Sequence, residues 1–88
     1  MYISKEITTH YGIPITYHAL NAIHIHYDQG ISHIDIAGYF SKEAFENGAS
    51  AFEISQIQVN QTVFATEKDI YNAILTSNAF KDGVLCEE

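Results

Sequence analysis

The sequence predicts an α+β fold: a mainly antiparallel sheet in the order β–β–β–short α–β–α, with a C-terminal helix packed on one face. Two neighbouring runs alternate apolar and polar residues around the turn "DQG", which is typical of a β-hairpin. Residues 66–80 instead repeat apolar side chains at helical spacing. The chain has 88 residues, the length of one small domain. We therefore expect residues 1–88 to form a single domain.

The N-terminal residues predict a strand followed by a turn. Ile3 and Ile7 lie among Tyr and Thr residues, which favour β structure. The next segment, "YGIP", contains Gly12, which tolerates a positive φ, and Pro14, which fixes its own φ. This segment therefore predicts a turn between the first and second strands.

The hairpin around "DQG" predicts one apolar face and one histidine face. Ile23 and Ile25 alternate with histidines before the turn, and Ile34 and Ile36 alternate with His33 and Asp35 after it. A register that keeps the two faces separate is favoured, because a one-residue shift would place isoleucines opposite histidines. The predicted pairs, from the turn outward, are Tyr27 with Ser32, His26 with His33, Ile25 with Ile34, His24 with Asp35 and Ile23 with Ile36.

The middle of the chain predicts a short helix and a fourth strand. Ser41 is a good helix N-cap, and Asn47-Gly48 is a good helix end, although a long loop fits the same residues. In the following "AFEISQIQVNQTVF", the apolar alternation changes phase between Ile54 and Ile57. Such a change predicts a bulge or bend near residues 55–56.

The C-terminal region gives the clearest helix prediction. Thr66 is a good N-cap, and acidic residues follow it in the first turn, where the helix dipole favours them. Ile70, Ala73 and Ile74 then form an apolar stripe at helical spacing. Residues 84–88 are predicted to be a short strand or a tail.

Composition excludes several classes of function. The net charge is −7, and all four basic residues are lysines. Because arginine usually reads phosphates and guanine edges, we expect no nucleic-acid binding. No apolar run reaches the length of a membrane span, and the first residues do not resemble a signal peptide. The single cysteine, Cys86, cannot form an internal disulfide, so we expect a protein made in a cytosol.

The histidine face is the one candidate site for a metal. Imidazole nitrogens and a carboxylate are suitable zinc ligands, and the candidate ligands are His24, His26, His33 and Asp35. Against a metal site, side chains on one sheet face point in parallel, and the sequence contains no spaced metal motif. Three interpretations stay open: a solvated polar face, an interface covered by another subunit, or a metal-binding module.

The sequence shows no catalytic or cofactor-binding motif. No serine has the Gly-x-Ser-x-Gly context of a nucleophile elbow, and the five glycines stand singly rather than in a phosphate-binding loop. The acidic residues of "SKEAFENG" are typical of a solvated helix. We therefore expect a protein that is not an enzyme, has no cofactor and binds no small-molecule substrate.

Two segments, "YGIPITYHAL" and "GYFSKEAFENGA", are similar to small proteins of tailed bacteriophages and prophages over about residues 10–50. The residues that carry the resemblance are Gly12, Thr16, Tyr17, His18, Gly38, Tyr39, Lys42, Glu43, Ala44 and Gly48. The resemblance implies a virion-structure or tail-assembly protein, found in the cytoplasm of the bacterial host or in the virion. It assigns no functional residue.

The expected function is therefore that of a non-enzymatic structural or assembly accessory protein. It would act through protein–protein contacts, including self-association through sheet edges or an apolar sheet face. One alternative is a small acidic inhibitor that binds the basic, nucleic-acid-binding surface of a host protein, as the charge of −7 suggests. The other is a metal-binding module on the histidine face.

Overall fold

The computed structural model describes residues 1–87 and confirms the α+β class. The elements of this part of the chain are β1 (Tyr2–Thr8), β2 (Pro14–His26), β3 (Ile31–Tyr39), α1 (Lys42–Glu46), β4 (Glu53–Val59), α2 (Glu67–Leu75) and β5 (Val84–Cys86). These five strands form one antiparallel sheet with the order β4-β3-β2-β1-β5. Neither helix in this part of the chain has the length and apolar character needed to cross a membrane.

Local signals in the sequence are confirmed at both helix starts. The Ser41 hydroxyl accepts a hydrogen bond from the Ala44 amide, and the Thr66 hydroxyl accepts one from the Asp69 amide. Such caps satisfy backbone donors that have no partner inside the helix. The predicted C-terminal strand is also present, as β5, while residue 88 lies outside the described residues.

The turns fall where glycines permit them. Gly12 follows β1 with a φ of 79°, and Gly30 ends the turn between β2 and β3 with a φ of 68°. Both values lie in the left-handed region, which costs glycine little because it has no Cβ. The predicted turns around Gly12 and around "DQG" are therefore confirmed.

The predicted register of the β2–β3 hairpin is wrong by two residues. His26 pairs with Ile31, and His24 pairs with His33 rather than with Asp35. The loop between the strands consists of residues 27–30 rather than the predicted 28–31, so β2 ends one residue earlier and β3 begins one residue earlier than predicted. Because side chains alternate with a period of two, this slip leaves each side chain on its predicted face. Ile34 is accordingly buried and His24 is exposed.

The predicted bulge near residues 55–56 is also wrong. The β3–β4 register runs without interruption from Val59 to Glu53. The alternation of apolar residues along β4 changes at Ile54 because this side chain faces solvent, with 59% of its surface exposed. The irregularities lie instead between Ser4 and Ile7 in β1 and between Leu20 and Ala22 in β2.

One buried cluster combines residues from the sheet with residues from α2 and the segment after it. Its fully or nearly fully buried members are Ile3, Ile34, Ile36, Val59, Tyr71, Ala73, Ile74 and Phe80. The Tyr71 hydroxyl accepts a hydrogen bond from the Leu20 amide at 2.8 Å and donates one to the Met1 carbonyl at 3.1 Å. Burial raises the pKa of Tyr71. The hydroxyl therefore joins β2 and the N-terminus to α2.

A second, aromatic cluster lies beside α1. Tyr17 stacks on Tyr2 with ring centroids 4.3 Å apart and on Phe45 of α1 at 4.6 Å. Tyr39 meets Phe45 edge-on at 5.0 Å. Burial is the main reason that the pKa of Tyr17 is raised. Since such pairs add about 0.5–1.5 kcal/mol beyond area burial, they hold this short helix against the sheet.

Candidate interaction surface

The histidine face forms a hydrogen-bonded row across three strands. The Gln56 amide donates to Asp35 Oδ1 at 2.8 Å, and His24 Nε2 lies 3.3 Å from Asp35 Oδ2. His33 Nδ1 lies 3.2 Å from Gln56 Oε1, and its ring is 5.1 Å from that of His26. The side chains predicted to stand directly opposite each other are therefore in contact, but as diagonal neighbours.

Asp35 is the charged centre of the histidine face. The hydrogen bond from the Gln56 amide lowers the pKa of this carboxyl, and the hydrogen bond to His24 acts in the same direction. Hydrogen bonds to a carboxylate favour its charged form. Asp35 is therefore an ionised hydrogen-bond acceptor at neutral pH.

The four candidate metal ligands do not converge. Asp35 uses both carboxylate oxygens for Gln56 and His24, and His33 directs Nδ1 at the Gln56 amide oxygen. Within residues 1–87, no three His, Cys, Asp or Glu side chains are grouped so that they could hold a metal ion. The geometry thus favours a polar surface over a metal-binding module.

Another histidine, His18, is buried rather than exposed. It lies on β2 with 2% of its surface accessible, and its Nε2 donates to the Lys5 carbonyl at 2.8 Å. Its ring meets Phe80 edge-on, with centroids 5.2 Å apart. Burial lowers the pKa of His18 because it penalises the charged imidazolium.

The buried His18 predicts that stability falls in mild acid. Its ordinary pKa is 6.5 and its pKa in the folded protein is lower, so between these values the unfolded chain binds more protons. Neutral His18 makes its full contribution to the free energy of unfolding above pH 6.5, and this contribution is lost as the pH falls through the pKa of His18 in the folded protein. We expect the urea midpoint to decrease from pH 7.5 to pH 5.5, and to decrease less in His18→Gln. The exposed control, His26→Gln, should show the wild-type change of the urea midpoint with pH. An equal change in all three proteins would contradict the prediction.

Exposed aromatic side chains meet at one end of the sheet. We call His10, Tyr11, Phe40 and Phe52 the aromatic end. Phe52 contacts Phe40 with ring centroids 4.8 Å apart and Tyr11 edge-on at 6.0 Å. The His10 ring lies 3.9 Å from that of Tyr11. Tyr11 remains 68% exposed and Phe40 48% exposed despite these contacts.

Backbone geometry brings the aromatic end together. The β1–β2 turn carries His10 and Tyr11 and is closed by the Thr9 amide, which donates to the Ile13 carbonyl at 3.0 Å. Phe40 follows β3, and its carbonyl accepts from the Thr16 hydroxyl at 2.9 Å. The Phe52 amide, just before β4, donates to the Gly38 carbonyl at 2.7 Å.

Sequence reasoning missed the aromatic end, because the predicted register places Tyr39 opposite Leu20. In the structure Tyr39 pairs with Tyr17. This pairing places Phe40 beside the turn that contains Gly12. The contacts of Phe52 with Tyr11 and Phe40 could not be predicted from neighbouring residues, because they depend on where β4 joins the sheet.

A shallow cleft of about 370 Å³ lies between the end of β4 and the end of α2. Its lining residues are Gln58, Val59, Asn60, Gln61, Ala73, Thr76 and Ser77. Its two hydroxyls are engaged by the backbone: that of Thr76 donates to the Ala73 carbonyl and that of Ser77 to the Ile74 carbonyl. None of the described residues that line the cleft is titratable.

Comparisons with protein-family models, with curated proteins and with solved structures found no match to this chain.

Proposed function

We propose that this protein is a non-enzymatic structural or assembly protein that acts through protein–protein contacts, including contacts with copies of itself. The observation that carries the proposal is the aromatic end, where Tyr11 and Phe40 stay exposed beside Phe52. Large exposed apolar patches are uncommon on monomeric proteins and mark interaction sites. Aromatic residues also dominate the binding energy of protein interfaces.

The arrangement of the layers supports this proposal. We infer that α2 covers one face of the sheet, since Tyr71, Ala73 and Ile74 share a buried cluster with residues of β3. The opposite face carries His24, His26 and His33 together with the exposed Ile54. A chain of this size buries only roughly 60–65% of its unfolded surface. Contacts with a partner would therefore add burial that the isolated chain lacks.

We propose that this role belongs to the assembly of a virion or tail, and the resemblance of residues 10–50 to phage proteins supports it. Three of the residues that carry the resemblance, Gly12, Thr16 and Gly38, position the aromatic end through the hydrogen bonds and the turn described above. The proposal is therefore a phage-derived assembly protein, made in the bacterial cytoplasm, whose contact surface includes the aromatic end.

Sedimentation velocity tests the proposal. The wild-type protein should show a weight-average mass that rises with concentration, because apolar association follows mass action. The double variant Tyr11→Ser/Phe40→Ser should show a lower weight-average mass than the wild type at the same concentration. The matched control is Tyr27→Ser, which removes an exposed tyrosine from the β2–β3 turn and should associate like wild type.

Two results would overturn the proposal. A wild-type mass equal to that of the monomer at every concentration would remove the basis for self-association. Equal association of the double variant and the wild type would show that the aromatic end is not the contact. Circular dichroism of each variant verifies that the fold is retained.

A further inference from the structure

We propose that β4 pairs antiparallel with the β4 strand of a second copy of this chain, which would join two five-stranded sheets into one. The inference rests on the proposed function, because it names the partner and the surface of one protein–protein contact. It depends on the backbone edge of β4, Glu53–Val59, which begins directly after Phe52 of the aromatic end but includes none of its members.

β4 is an open edge of the sheet. It pairs with β3 on one side, from Glu53 to Val59, and stands last in the strand order. Natural edge strands are usually protected by lysine, proline, a bulge or very short length. β4 has seven residues, no lysine and no proline, and its register with β3 is uninterrupted. It therefore presents a regular row of backbone donors and acceptors.

The other sheet edge is a poor site for pairing. β5 spans three residues, Val84–Cys86, so it presents few backbone groups. Lys68 forms an ion pair of 3.3 Å with Glu87, which follows this strand directly. Short length and neighbouring charge are both features of protected edges. Of the two edges, β4 is the one suited to a partner strand.

The side chains of β4 are compatible with a two-fold axis at Gln56. A two-fold antiparallel pair is self-complementary, since each residue meets its counterpart in the other chain. With the axis at the central residue, all seven positions pair. The pairs would be Gln56 with Gln56, Ser55 with Ile57, Ile54 with Gln58, and Glu53 with Val59. The exposed Ile54 would then be partly covered by the methylene groups of Gln58 from the second copy.

Charge on β4 does not oppose a second copy in this register. The sequence of β4, "EISQIQV", has Glu53 as its one charged residue, at the end of the strand. In the centred register the two Glu53 carboxylates lie at opposite ends of the strand pair, separated by about 20 Å. That distance exceeds the Debye length of about 8 Å at physiological ionic strength. The edge can therefore pair with itself without like charges facing each other, despite the net charge of −7.

Disulfide trapping tests the register. In a Cys86→Ser background, Gln56→Cys would place two thiols opposite each other, with Cα atoms about 4.5–5.5 Å apart, within the range of a disulfide. The matched control is Gln58→Cys on the same sheet face, whose counterpart would lie about 14 Å away. Both variants would be oxidised mildly at one concentration, and the products would be measured by non-reducing electrophoresis and intact mass.

We expect the Gln56→Cys protein to form the covalent dimer roughly tenfold faster than the Gln58→Cys protein, because only its thiols meet disulfide geometry. Equal rates, or faster linkage at position 58, would overturn the inference. If wild type associates but neither variant shows preferential linkage at position 56, the β4 pairing fails while the proposed function stands. A wild-type protein that stays monomeric in sedimentation, by contrast, contradicts the proposed function itself.

Discussion

Replacing Ile74 with alanine should lower the free energy of unfolding by about 2–5 kcal/mol. Ile74 is fully buried on α2, in one cluster with Ile34 and Ile36 of β3. The substitution removes three carbons and leaves a cavity that the surrounding isoleucines cannot fill without moving. Because native domains have a stability of only about 5–15 kcal/mol, this loss should shift the urea midpoint strongly.

The control for this core substitution is Val63→Ala. Val63 is exposed in the segment between β4 and α2, so its truncation should change stability by no more than about 0.5 kcal/mol. A loss below about 1 kcal/mol for Ile74→Ala would show that α2 does not pack into the core as described.

Removing the hydroxyl of Tyr71 should have the second large effect. Tyr71→Phe keeps the ring in the core, but removes the acceptor of the Leu20 amide and the hydroxyl that donates to the Met1 carbonyl. An amide that loses its acceptor in a buried site costs about 1–3 kcal/mol. We expect this loss of stability in urea unfolding, together with faster hydrogen exchange at the Leu20 amide.

Tyr27→Phe is the matched control, because Tyr27 is exposed in the β2–β3 turn. It should change stability by less than about 0.5 kcal/mol. If Tyr71→Phe left both the stability and the Leu20 exchange rate unchanged, the hydroxyl would not be the link between β2 and α2.

Sequence reasoning predicted the local elements because their causes are local. A cap such as Ser41 or Thr66 acts on amides two or three residues away, and Gly12 permits a turn through its own φ. Alternation likewise determines which face a residue occupies, since the side-chain period of a strand is two. The separation of Ile34 from His33 could therefore be predicted before any pairing was known.

The pairing itself was less accessible. The two registers of the β2–β3 hairpin differ by two residues and place the same side chains on the same faces. The alternation of apolar and polar residues therefore excludes a one-residue shift but cannot distinguish registers that differ by two residues. The choice depends on the conformation of the turn, which in this protein comprises residues 27–30 and ends with Gly30 at positive φ.

Bulges and exposed apolar residues give the same signal in a sequence. Both interrupt the alternation, so the change of phase at Ile54 predicted a bulge that is absent. The bulge between Leu20 and Ala22 went unpredicted. The structure shows why it matters, since beyond this bulge His18 is buried against Phe80 while His24 stays exposed.

The sequence by itself therefore determined the class of fold, the helix starts, the turns and the two faces of the hairpin, because each follows from neighbouring residues. Only the tertiary structure decided the register, the burial of His18 and the meeting of Tyr11, Phe40 and Phe52 at one end of the sheet. The physical reason is that these features depend on strand pairings between residues far apart in the chain. The free energy that stabilises these features comes from packing between different segments of the chain.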